Sequence, residues 1–163
     1  MVASIFIIMN DAPPNGPAVL IVDHDPNELK ALVIGLRLEG FHVSGAPTSA
    51  AALELLSASP FDLAIIDLMI PETNGLQLSR SIRAAFPAVT TILMSAYHLS
   101  MAQLVRANTG AVGFVPKPFR FDDLVQFVHA KLAQREGVSA AHHAAAAHAA
   151  NGLHSPFELP QSV

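Results

Sequence analysis

The sequence predicts an α/β domain: a five-stranded parallel sheet covered by helices on both faces. Three observations lead there. Short, wholly apolar runs alternate with segments whose apolar residues recur at helical spacing. The links between them are short. The alternation occurs five times between Pro17 and Arg135. Strands buried on both faces read as continuous apolar runs, and short strand–helix links in series favour parallel neighbours.

The elements follow in order. Ala18-Val19-Leu20-Ile21-Val22 is the first buried strand, ending at Asp23-His24-Asp25-Pro26. Leu29, Leu32, Val33 and Leu36 then form one apolar helix stripe, and Gly40 is a natural stop. Phe41 to Ser44 is a weaker second strand, and Ala50 to Ser57 a second helix with Leu53 and Leu56 on one face. Leu63-Ala64-Ile65-Ile66 is the third strand, ending at Asp67. Leu76 to Phe86 is the third helix, capped by Asn74. Thr91 to Met94 is the fourth strand, ending at Ser95-Ala96. A fourth helix covers Ser100 to Asn108, with Met101, Leu104 and Val105 as its buried face, and stops near Gly110. Gly113-Phe114-Val115 begins the fifth strand, ending at Lys117-Pro118, and a fifth helix runs from about Asp122 to Gln134.

The flanks differ in composition. Residues 1–16 form a flexible N-terminal extension, turn-rich from Asn10 to Pro17, and Met9 is a candidate natural start. The apolar run Ile5 to Met9 is far short of the roughly 20 residues a spanning helix needs, so a cytoplasmic chain without a membrane segment is expected. Residues 136–163 are an Ala/His-rich tail, expected to be mobile with at most transient helix. Gly137 is expected to interrupt any helix entering it, and Pro156 and Pro160 oppose regular structure further on. The tail histidines His142, His143, His148 and His154 are metal-ligand types, but no two stand at i, i+4, so a passive tail is the simpler reading.

Composition excludes several classes. The 52% hydrophobic content supports a core, although eight Ala of the tail inflate it. There is no Cys, hence no disulfide scaffold, Cys-ligated zinc or thiol chemistry. Net charge is -4, without the basic excess that attracts nucleic acid.

In open parallel sheets, ligands sit at the carboxyl ends of the strands. Those ends supply Asp23-His24-Asp25, Asp67, Ser95 and Lys117, the second strand only Gly45 and Ala46. Crowded carboxylates repel one another, and a hard divalent cation with oxygen ligands offsets this. Lys117 and Ser95 suit an anion in the same crevice, and a carboxylate so placed is a nucleophile towards phosphorus. These residue types point to an aspartyl-phosphate site.

Four stretches then carry a resemblance: Val-Leu-Ile-Val-Asp-His-Asp-Pro, Asp-Leu-Ala-Ile-Ile-Asp-Leu-Met-Ile-Pro-Glu-Thr-Asn-Gly, Ile-Leu-Met-Ser-Ala-Tyr and Gly-Phe-Val-Pro-Lys-Pro-Phe. In this order and spacing, residues 17–135 resemble the receiver domain of bacterial response regulators. The resemblance implies a flavodoxin-like three-layer fold with strand order 2-1-3-4-5 and five helices. It implies Asp67 as the phosphoacceptor, with Asp23, Asp67 and the Met69 backbone carbonyl as ligands for Mg2+. It places Ser95 and Phe114 at the two switch positions, Lys117 as the lysine that contacts the phosphoryl group, and a cis bond at Lys117-Pro118. His24 stands where the family carries a second acid. An imidazole nitrogen is a poor ligand for magnesium, which puts the Mg2+ affinity in question. Pro116 fits a fifth strand only at a sheet edge.

The implied function is a stand-alone response regulator in a phosphorelay. Its partners would be a sensor histidine kinase or phosphotransfer protein and a downstream protein target, without direct DNA binding, with homodimerisation left open. It is not an enzyme in the ordinary sense. The alternative is a pseudo-receiver, a binding or dimerisation module that works without phosphorylation, and His24 motivates it. A phosphatase of similar fold is disfavoured, since the motif Asp-x-Asp-x-Thr is absent where Asp67 is followed by Leu68-Met69-Ile70, and a nucleotide-binding enzyme likewise, since no Gly-rich phosphate loop follows the first strand.

Overall fold

Alternating apolar and helical segments produce five strands and five helices, in strict alternation, in a computed structural model. It describes residues 16–71, 73–97 and 101–150. The strands are β1 (Ala18–Val22), β2 (His42–Ala46), β3 (Leu63–Asp67), β4 (Thr90–Ser95) and β5 (Gly113–Pro116). The helices are α1 (Pro26–Leu38), α2 (Ser49–Ala58), α3 (Gly75–Ala85), α4 (Met101–Ala107) and α5 (Phe121–Ala150). All strand pairings are parallel, in the order β2-β1-β3-β4-β5. The expected fold class and strand order are those observed. No helix among the described residues is long and apolar enough to cross a membrane.

Successive side chains of a strand point to opposite faces, so the three central strands fill two cores. On one face Val19, Ile21, Leu63, Ile65, Ile92 and Met94 pack against Leu32, Val33 and Leu36 of α1 and Leu124, Val125 and Val128 of α5. On the other, Leu20, Val22, Ala64, Ile66 and Leu93 pack against Ala52 and Leu56 of α2 and Leu78 and Ile82 of α3. Leu29 joins the first core only in part. The side chains of Met101, Leu104 and Val105, expected on the buried face of α4, lie outside the described residues.

Caps set the helix entries. Asp25 accepts from the N–H groups of Asn27 and Glu28 at the start of α1, Thr48 from that of Ala51 before α2, and Asn74 from that of Gln77 before α3. Gly40 ends α1 at φ +89°, a left-handed conformation that glycine adopts at little cost. Replacing Asn74→Ala leaves a donor of α3 without its partner and should cost about 1 kcal/mol, read as a lower denaturation midpoint with an unchanged slope.

One expectation holds and one changes. Pro116 lies within β5 opposite Ser95, which the sheet tolerates because β5 is the edge strand. Gly137 does not stop the last helix: α5 continues to Ala150. One glycine costs a helix about 1 kcal/mol, and the alanines after it, the best helix formers, offset that. The chain divides into two compact units, Met1–Leu132 and Ala133–Val163. The first holds the sheet and both cores; the described part of the second is helical. Residues 1–15 and 151–163, on which the N-terminal extension, the Met9 start and part of the tail (His154, Pro156 and Pro160) were read, lie outside the described residues.

Candidate functional site

Parallel strands that start together also end together. The pairings Val22 with Ile66 and Asp67 with Met94 bring Asp23, Asp67 and Ser95 to one rim. Lys117 follows β5, and its N–H donates to the Ser95 carbonyl at 2.8 Å, extending the ladder by one bond past Pro116. Asp23 and Ser95 are wholly buried, and Asp67 nearly so.

The Lys117 ammonium is the centre of the site. Its Nζ lies 2.7 Å from Asp67 Oδ2, 3.0 Å from Asp23 Oδ2 and 2.8 Å from Glu28 Oε1. Burial works against its charge, but hydrogen bonds to Asp67, Glu28 and Asp23 outweigh burial and raise its pKa. Burial raises the Asp23 carboxyl above its ordinary value of 3.8, against the opposing pull of the Asp25 N–H and of Lys117. Three carboxylates around one ammonium leave an excess of two negative charges when all are ionised. Such a rim attracts a cation.

The main chain holds the two aspartates in place. Asp23 Oδ1 accepts from the N–H of Asp25 at 2.8 Å, and Asp67 Oδ1 from that of Met69 at 2.8 Å. The second bond keeps the Met69 backbone beside the carboxylate, while the Met69 side chain is half exposed. Gly75, at the first position of α3, is in close backbone contact with this loop. Its N–H donates to the Leu68 carbonyl at 3.0 Å, and a Cβ there would run into the Asp67 carbonyl oxygen. The Ser95 hydroxyl accepts from the N–H of Tyr97 at 2.9 Å, which leaves its own proton for donation. Phe114 is partly buried against the α2–α3 core. The Lys117–Pro118 bond is cis, as the resemblance implied. A groove lined by Glu28, Leu32, Ala96, Lys117 and Phe119 opens beside the ammonium.

Two residues differ from expectation. Asp25, read with the rim, turns away from it. It caps α1 at the surface, where the N–H groups of Glu28 and Asn27 hold its carboxyl below 3.8. Glu28 joins the rim instead, and the sequence reading missed it. Asp25 followed by Glu28 has the spacing of a capping box, in which the glutamate returns to the cap N–H. Here Asp23 already takes that N–H, so the Glu28 carboxylate reaches Lys117. The spacing was a signal that Glu28 lies near the rim, but its partner depends on the fold.

His24 is 47% exposed, with Nδ1 3.8 Å from Asp23 Oδ1. One ligand atom each from Asp23, His24 and Asp67 lies within 4.8 Å of the others, a set able to hold a metal ion. The two carboxylates suit a hard divalent cation, and the excess negative charge favours one; the imidazole is the member that suits magnesium least.

Comparisons with known proteins give the family of this fold. The model of the response regulator receiver domain matches residues 19–129. The chain is 30% identical over 122 residues to the transcriptional regulatory protein ZraR of Escherichia coli, covering 75% of this chain and 28% of that protein. It is 33% identical over 114 residues to the transcriptional regulatory protein KdpE of Mycobacterium tuberculosis, covering 70% and 50%. The chain thus spans half or less of the length of these relatives. Among solved structures, a CheY-like receiver domain protein from Methanospirillum hungatei matches with TM-score 0.71 at 28% identity, over 76% of this chain and 98% of that one. The response regulator TrrA of Thermotoga maritima, solved with Mg(2+)-BeF, matches with TM-score 0.64 at 31% identity, over 71% and 98%.

Proposed function

Because this chain belongs to the response regulator receiver domain family of two-component signalling, we propose that Asp67 accepts a phosphoryl group from a histidine kinase or a phosphotransfer protein. The observation that carries the proposal is the Lys117 ammonium, shared by the buried carboxylates of Asp67 and Asp23 at the ends of three strands. A carboxylate oxygen of Asp67 forms the new bond to phosphorus as the donor's bond to phosphorus breaks and its leaving group departs. Lys117 stays beside the acceptor and offsets the charge that accumulates on the phosphoryl oxygens. Asp23, Asp67 and the Met69 carbonyl would hold a divalent cation, Mg2+ in the family; when bound, it supplies positive charge to the phosphoryl oxygens.

Ser95 then donates its free hydroxyl proton to a phosphoryl oxygen, and Phe114, which has no hydroxyl of its own, responds by repacking. This couples the rim to the β4–β5 edge and biases a two-state equilibrium there. Output passes by contact with a downstream protein. The 9 basic and 10 acidic side chains of residues 17–135 nearly cancel, which supports a protein rather than DNA as the direct target of this segment.

Incubation with a small acyl phosphate and Mg2+, followed by intact mass measurement, should add one phosphoryl group to the wild-type chain and none to Asp67→Asn. If no phosphoryl mass appears under any divalent cation, the pseudo-receiver is the correct description.

A further inference from the structure

The identity of the cation follows from the residue that sits least comfortably in this rim, and the inference rests on the cation-assisted reading just given. We propose that His24 makes the rim a mixed nitrogen–oxygen site, selective for a divalent transition ion of the Co2+ or Zn2+ class over Mg2+.

Geometry supports His24 as a ligand. Donors at about 2.0–2.2 Å from a shared ion lie about 3–4 Å from one another. The His24 Nδ1 to Asp23 Oδ1 separation of 3.8 Å falls in that range, and the full set with Asp67, within 4.8 Å, needs only a small side-chain adjustment to close on one ion. The main chain on both sides of His24 is pinned: the Asp23 N–H donates to the Ala46 carbonyl at 3.1 Å, and the Asp25 N–H to Asp23 Oδ1 at 2.8 Å. The imidazole is therefore held at the rim beside Asp23, with its side chain 47% exposed.

Chemistry then decides between ions. Mg2+ takes oxygen donors in near-ideal octahedral geometry, and a neutral imidazole brings it neither oxygen nor charge. Co2+ and Zn2+ accept imidazole nitrogen readily, and carboxylate oxygen as well. Every divalent site has some intrinsic bias toward these ions, so the content of the proposal is that His24 sets the size of the bias here. Asp23 and Asp67 supply attraction common to all the ions, and His24 supplies the difference.

The test uses the full chain without any phosphodonor. Co2+ is titrated by its visible absorption and Mg2+ by calorimetry, in wild type, His24→Asn and His24→Asp. The substitutions lie on an exposed loop side chain, and circular dichroism checks that each variant keeps the fold. His24→Asn should weaken Co2+ by at least about 10–100-fold, the cost already seen when only a partner behind a ligand is lost, with Mg2+ little changed. His24→Asp should move the Co2+ to Mg2+ affinity ratio toward Mg2+ by a similar factor. An equal ratio in all three proteins overturns the proposal. So does a Co2+ affinity left unchanged by His24→Asn, which would place the ion on other ligands such as the tail histidines. Intact mass with an acyl phosphate, run on the same samples, separates this result from the phosphoacceptor reading. Phosphorylation with an unchanged ratio overturns only the metal assignment; a changed ratio without phosphorylation overturns only the phosphoacceptor.

Discussion

Replacing Lys117→Met should destabilise the protein by about 3–5 kcal/mol in the absence of divalent cations, the usual cost of removing one partner from a buried ion cluster. The cause is the rim's charge. Asp23 is wholly buried and Asp67 nearly so, and both lose the cation that lies within 3.0 Å of them. Glu28 is more exposed and turns to water. A second change, Asp67→Asn, removes one of the stranded charges, so the double variant should be more stable than Lys117→Met alone. Urea denaturation of the four proteins of this cycle measures the coupling, and strictly additive effects would show that the contacts carry no interaction energy. The pH dependence has a definite sign. The folded pKa of Lys117 is raised above its ordinary value of 10.5, so the stability it contributes is complete below that value and is lost as pH rises through the folded one. The gap between wild type and Lys117→Met should therefore narrow in alkali, and also in acid, where the Asp23 carboxyl takes up a proton and is no longer a stranded charge.

Gly75→Ala should cost less, about 1–3 kcal/mol, the range for overpacking. The added methyl would meet the Asp67 carbonyl oxygen and the Leu68 backbone, which cannot rotate away as a side chain could. Either the start of α3 or the Asp67 loop must move. Phosphoryl uptake at Asp67 should then fall together with stability, a pairing that an ordinary core substitution far from the rim would not produce. Gly40→Ala is the control: nothing lies near a Cβ there, so only the positive φ is strained and phosphoryl uptake should be unaffected. Equal phosphorylation in Gly75→Ala and wild type would refute the claim that this glycine sets the loop.

Most of the fold was legible because its determinants are local. Val19 to Val22 and Leu63 to Ile66 are apolar at every position, as only strands buried on both faces are. The stripe Leu32, Val33 and Leu36 has a helical period and packs in one core. Asn74 lies where a cap was expected, and its side chain makes the capping bond. Boundaries shifted where propensity was weak, as in β2, which gains Gly45 and Ala46 through pairing with Ile21 and Val22. At Gly137 the local rule failed outright, since a single unfavourable residue does not outweigh a run of favourable ones.

Local sequence specifies the alternation of strands and helices, and so which residues stand at strand ends: Asp23, Asp67, Ser95 and Lys117. Residue type and spacing are sufficient for that, because the direction in which side chains point along one element follows from its period. Which of those groups touch was left to tertiary packing. Lys117 meets partners 94 and 50 residues away in the chain, and strand register alone brings them within hydrogen-bond reach. It also exchanged Asp25 for Glu28, because the N–H that a capping glutamate would take was already bound by Asp23. Hydrogen-bond donors and space at the rim are shared among segments distant in sequence. Which side chain obtains each is settled only when those segments are packed together.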